Sequence, residues 1–111
     1  MLYRTSVSEP WFSLIASGVK TCEGRLWKGA FRIMEVGDVL EFYHGERVCR
    51  AVITEMARYD TFGTYLLGEG LERCLPGVES LEEGVAVYRQ YYSEEEEKMY
   101  GVVGIRLKRW V

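Results

Sequence analysis

At 111 residues, 48% apolar and 14% aromatic, the chain can bury a core as one domain, residues 1–111, and is not a disordered chain. A net charge of −3 argues against a generic polyanion binder. No apolar run approaches a bilayer span and the N-terminus lacks the apolar region of a signal peptide, so a soluble, cytoplasmic setting without a membrane partner is expected.

Cys22, Cys49 and Cys74 are odd in number and widely spaced, which fits neither a disulfide framework nor a zinc pattern, and His44 is a lone histidine. No metal or other cofactor is therefore expected, and the cysteines read as small core residues. The chain has no asparagine, one glutamine (Gln90) and carboxylates that are almost all glutamate, a lean towards a thermophilic source.

In chain order, Leu2 to Val7 alternates apolar and polar residues, the pattern of a first strand. Ser8 is placed to cap a helix with Glu9 and Pro10 in its first turn. Trp11, Leu14, Ile15 and Gly18 recur at helical spacing, with Gly18 as the left-handed C-terminal residue. Thr21 to Trp27 reads as extended, which puts Thr21, Glu23 and Arg25 on one face and Cys22 and Leu26 on the other. A short turn or helix spans Gly29 to Met34, and Gly37-Asp38 is a turn. Val39 to Tyr43 and Arg47 to Tyr59 form a hairpin across a three-residue connection at His44-Gly45-Glu46. A phase change in the second strand predicts a bulge.

Phe62, Tyr65, Leu66 and Glu69 fit one short helix, with a second fragment over Gly68 to Leu75. Ser80 with Glu83 reads as a capping box for a helix carrying Leu81, Val85, Tyr88, Tyr91 and Tyr92. These tyrosines, like Phe62 and Tyr65, are assigned to packing. The Ser93–Glu97 run is read as a solvated loop or a second cap, and Val102 to Leu107 as a closing strand. The resulting fold class is α+β, a mostly antiparallel barrel with short helices packed around it, in which the first and last strands are expected to pair.

The densest chemistry lies between Gly18 and Met34, where Lys20, Arg25, Lys28 and Arg32 stand against Glu23 alone. Such a basic face on an acidic protein can steer an anionic ligand. Lysine and arginine suit phosphate, as a point charge and a bidentate fork. Glu23 repels phosphate and fits better as an acceptor for a base amine, as an orienting group or as a general base. An ion pair from Glu23 to Lys20 or Arg25 that only ties strand to helix is the competing reading. Trp27 and Tyr59 are the aromatics best placed to stack on unpaired bases.

Gly18-x-Lys20-x-x-Glu23-x-Arg25 after a short helix resembles the signature of the ASCH (activating signal cointegrator homology) domain. Gly37-Asp38 and the Gly101–Leu107 strand resemble that family's later landmarks, as in its small stand-alone archaeal and bacterial members. The resemblance implies a β-barrel similar to PUA domains, with a motif-lined cleft proposed for RNA binding and, in some members, for catalysis. Small ASCH amidohydrolases that deacetylate acetylcytidine use a lysine matching Lys20 and a threonine three residues later. Glu23 stands at that threonine's place, and Thr21 is on a different register.

Three functions follow as expectations. The first is an RNA- or single-stranded nucleic-acid-binding domain, its interface formed by Gly18, Lys20, Thr21, Glu23, Arg25, Trp27, Lys28 and Tyr59. The second is a hydrolase acting on RNA or a modified nucleoside, with Lys20 and Glu23 as its catalytic pair. The third is a non-catalytic protein-interaction module. Lys20 and Arg25 are expected beside a surface cleft, so that removing either leaves the fold intact. No oligomeric state is legible in the sequence.

Overall fold

A long, bulged strand organises the sheet. The computed structural model describes residues 1–110, and among them five strands pair in the order β1-β3-β4-β5-β2. They are β1 (Leu2–Ser6), β2 (Cys22–Leu26), β3 (Val39–His44), β4 (Arg47–Tyr59) and β5 (Val102–Arg109). β1 runs parallel to β3, and the other three pairings are antiparallel. The first part of β4 pairs with β3 and the rest with β5, with a register shift between Ile53 and Glu55. A bulge of this kind bends a strand and strengthens its twist. The sheet curls accordingly into a half-barrel, and the α+β expectation holds.

This order corrects the expected pairing of the first and last strands. β5 is enclosed between β4 and β2, so β1 and β2 are left as the two edges. The hairpin between β3 and β4 turns in two residues rather than three, because His44 stays in the ladder opposite Arg47. Gly45 takes φ +62° at the first central position, where tight two-residue turns favour glycine.

The two faces of the sheet bury separate cores. Inside the curl, Leu40, Phe42, Ile53, Val103 and Ile105 meet Phe12 and Ile15 of helix α1 (Trp11–Ala16). Outside it, Cys22, Leu26 and Val102 meet α2 (Phe62–Glu69), α3 (Leu71–Cys74) and α4 (Leu81–Arg89) through Phe62, Tyr65, Leu66, Cys74, Leu75 and Tyr88. The alternation of Val102 and Val103 between the two cores is the strand period at work.

Three local expectations change. The buried residues of α1 are Phe12 and Ile15, with Trp11 and Leu14 only half-buried. Its first turn has no side-chain cap from Ser8, whose carbonyl accepts from Phe12 N–H at 3.0 Å; the Glu9 carboxylate accepts from Ser13 N–H at 2.9 Å and from the Ser13 hydroxyl at 2.6 Å. Ser80 does cap α4, accepting from Glu83 N–H at 3.1 Å, but the reciprocal capping boxes form at Thr61–Thr64 and Ser93–Glu96. Of the two readings of the glutamate run, the second cap holds: Ser93 caps the helix α5 (Glu94–Tyr100), and the run is not a solvated loop. Glu97 in it is buried, accepting from Phe62 N–H at 2.8 Å and pairing with Arg89 at 2.9 Å.

Gly24 of β2 lies opposite Gly104 of β5, and the pair leaves a furrow for the fully buried Tyr65 ring. A Cβ on Gly24 would meet Tyr65 Cε2 at 2.5 Å and Cζ at 2.6 Å. Gly24→Ala is therefore expected to destabilise the protein by about 1–3 kcal/mol through overpacking, measured by urea unfolding. An unchanged midpoint would show that Tyr65 is not held in that furrow.

Candidate functional site

The site is built where the sheet's two edges approach. Gly18, at φ +83°, ends α1, and the backbone N–H of Lys20 then donates to Leu14 O at 2.9 Å. This fold-back sends the Lys20 side chain inward, where the residue is 2% exposed. Its Nζ donates to Cys22 O at 2.6 Å and to Cys74 O, and lies 3.4 Å from Glu23 Oε1. Thr21 is tied by its backbone to Arg73 O and Leu107 N–H.

β2 then places Glu23 and Arg25 on one face, as its period requires. Arg25 donates to Glu23 Oε2 from Nε at 3.1 Å and from Nη2 at 2.9 Å. The same guanidinium reaches across to β1, donating to Thr5 Oγ1 at 2.9 Å and Ser6 O at 2.8 Å. One side chain thus joins the two edge strands. Burial pushes the Glu23 carboxyl up, but the charges and hydrogen bonds of Arg25 and Lys20 outweigh it and hold the group below its ordinary 4.5.

A cavity of about 410 Å³ opens at this seam. Lys20, Glu23, Gly24 and Arg25 line one side. Ser6 to Ser8 and Trp11 form a second wall, and Tyr88, Tyr91 and Tyr92 a third. The Ser8 and Tyr91 hydroxyls are hydrogen-bonded across it at 2.7 Å. The size and the mix of aromatic walls with a few fixed polar groups suit a small organic ligand.

Of the residues expected at the interface, Lys20, Glu23 and Arg25 come together here, while Gly18 and Thr21 shape the backbone that delivers them. Trp27, Lys28 and Tyr59 do not line the cavity. Trp27 packs against the inner core, with the guanidiniums of Arg32 and Arg58 at 4.4 and 3.4 Å from its ring centroid. Lys28 lies over Tyr100 at 4.9 Å, and 4.0 Å from Glu96. Tyr59 packs edge-on against Tyr65 and donates its hydroxyl to Glu69, which Arg106 holds at 2.6 Å.

Sequence reasoning missed Ser8, Trp11, Tyr88, Tyr91 and Tyr92 as cavity residues. Tyr88 does pack, stacked on Phe62 at 4.4 Å between centroids, and it also lines the cavity. The available signal is the i, i+3, i+4 spacing of three polar-tipped aromatics, although the expected helix ends at Arg89, so that only Tyr88 lies in it and Tyr91 and Tyr92 follow in the turn.

The curled sheet with outer helices and a charged seam is the ASCH, PUA-like type of α+β fold. The family model of the ASCH domain matches residues 6–110, and the chain belongs to that family. It is 40% identical to hypothetical protein PH0355, whose crystal structure matches with a TM-score of 0.92 over 99% of this chain and 100% of that one. Protein PF0455 from Pyrococcus furiosus, solved by NMR, is 39% identical, with a TM-score of 0.80 over 98% and 97% of the two chains. Its thermophilic source agrees with the lean of the composition. An ASCH protein from Zymomonas mobilis shares the fold at 14% identity and a TM-score of 0.59, over 96% of this chain and 67% of that one. No curated protein matches the chain.

Burial overturns the expectation that Lys20 can be removed without touching the fold. Lys20→Met leaves two buried carbonyls without their donor and the Glu23 charge with Arg25 alone, and is expected to cost about 3–5 kcal/mol, measured by urea unfolding. The Glu23 carboxyl adds a pH signature. Its folded value is depressed, so its contribution is complete above 4.5 and is lost as pH falls through the lower folded value. The melting temperature of the wild type should therefore drop more steeply below pH 4.5 than that of Glu23→Gln. Parallel curves would contradict that depression.

Proposed function

We propose that this protein binds RNA by taking one unpaired nucleotide into the seam cavity. The observation that carries the reading is a cavity of nucleoside size with aromatic walls and an ionised, buried carboxylate. Lys20 is committed to two carbonyls and Glu23, and Arg25 to Glu23, Thr5 and Ser6. Neither offers a free fork to phosphate. What remains for a ligand is Glu23 Oε1, which carries only long contacts, to Gly24 N–H at 3.3 Å and Lys20 Nζ at 3.4 Å. An exocyclic amine on a base edge fits such an acceptor, and the tyrosine and tryptophan faces fit its ring. Membership in the ASCH family supports a nucleic-acid ligand over a protein partner.

The hydrolase reading keeps one observation, the Lys20–Glu23 contact beside the cavity. A carboxylate held below its ordinary range is a weak general base near neutral pH, and Thr21 does not line the cavity. Binding is therefore the better account.

Trp11 reports on the site. Unpaired RNA should change its fluorescence, whereas a fully paired duplex should not. Tyr91→Ala removes a half-exposed ring that the cores do not need, and should weaken RNA binding by about 1–3 kcal/mol, the worth of one stack. Unchanged affinity in that variant would place the RNA elsewhere.

A further inference from the structure

Most arginines of this protein face a carboxylate. Arg4 and Arg50 pair with Glu41, Arg47 with Glu9, Arg89 with Glu97, and Arg106 with Glu69 and Glu55. Arg32 and Arg58 do not. Arg73 and Arg109 have no carboxylate partner among the described residues either, but Arg32 and Arg58 differ from them in sharing one aromatic ring. Both are exposed, and among the described residues neither has a carboxylate within ion-pair distance; each lies instead over the Trp27 ring, at 4.4 and 3.4 Å from its centroid. Asp60 borders the same shallow recess as Arg58 without pairing to it. An indole orients a guanidinium and limits its rotamers, yet leaves its N–H donors free for an anion.

This pair is placed next to the cavity. Arg25 and Arg58 both register with Val103, on either side of β5, so they stand in one row across three strands. Two strand spacings put them roughly 10 Å apart in the backbone. From the other direction, the Arg25 guanidinium lies 5.4 Å from the Phe31 ring, and Arg32 follows Phe31 in the chain. The cations committed inside the cavity and the uncommitted ones outside it therefore occupy adjoining surface.

We infer that Arg32 and Arg58, held by Trp27, seat the phosphates of the RNA strand whose unpaired nucleotide enters the cavity. This rests on the RNA reading above and extends it: the ligand is a strand running over the surface around Trp27, not a free nucleoside. The division of labour follows from the contacts. The interior cations fix Glu23, and the exterior pair holds the backbone, which positions the strand without reading its sequence.

The test measures two ligands against two kinds of variant. A labelled single-stranded RNA octamer is titrated at several salt concentrations, and the four ribonucleosides are titrated by calorimetry. The double variant Arg32→Gln/Arg58→Gln should bind the octamer several-fold more weakly. Its slope of log affinity on log salt should be shallower by about 1.4, two contacts at about 0.7 each for single strands. Ribonucleoside binding should be unchanged. The double variant Arg32→Lys/Arg58→Lys should recover most of the slope, which a merely structural loss would not predict. A wild-type slope in the glutamine variant overturns the phosphate seat. Ribonucleoside binding without octamer binding in the wild type also overturns it, while sparing the cavity. If neither ligand binds the wild type, the RNA reading fails, and the seat with it.

Discussion

The buried contact of Lys20 with Glu23, and of Glu23 with Arg25, fixes more of this structure than any other set of side chains. An ammonium 2% exposed is tolerable only where its donors are met, and here two carbonyls and a carboxylate meet them. Those carbonyls belong to Cys22 on β2 and Cys74 on α3, so the lysine ties the edge strand to the helical layer outside it. Arg25 continues the chain of contacts to β1. Take away the lysine and Glu23 loses one of the two cations that hold it ionised. Take away Glu23 and Arg25 loses the partner that aims it across the seam.

Seam and cavity are consequences of one topology. With β5 enclosed between β4 and β2, the edges of the sheet are β1 and β2, and an exposed edge invites pairing with another chain. The curl set by the β4 bulge brings these edges near enough for one guanidinium to span them. The gap that backbone pairing leaves open is the cavity. Gly24 serves both sides of this arrangement: it borders the cavity, and its missing side chain admits Tyr65 to the outer core. Tyr65 in turn accepts from the Tyr88 hydroxyl at 3.3 Å, which links the cavity's tyrosine wall to the strand beneath it.

Much of this was legible in the sequence, for reasons of period and backbone conformation. The extended span after Gly18 put Glu23 and Arg25 on one face, and their ion pair followed. The phase change within Arg47–Tyr59 marked the bulge. Strand order was not legible, because alternation tells which face a residue takes but not which strand lies beside it. The burial of Lys20 was hidden for a similar reason: its partners are backbone carbonyls, one of them 54 positions away. Tyr59 and Trp27 illustrate a third limit. Each is an aromatic near the motif, yet Tyr59 turns to Glu69 in the outer layer and Trp27 packs on the inner core beneath Arg32 and Arg58. Of the tyrosines that line the cavity, Tyr88 comes from α4 and Tyr91 and Tyr92 from the turn after it, whose position beside Ser8 no local pattern specifies.

A double-mutant cycle on Lys20 and Glu23 tests this account at its centre. Urea unfolding of the wild type, Lys20→Met, Glu23→Gln and the double variant gives the coupling between the two charges. The double variant should be less destabilised than the sum of the single variants, because each single change leaves the other residue buried with one partner fewer, Glu23 with Arg25 alone and Lys20 with its two carbonyls. Additive losses would show that the two side chains act independently, and that the seam is held by something other than their contact.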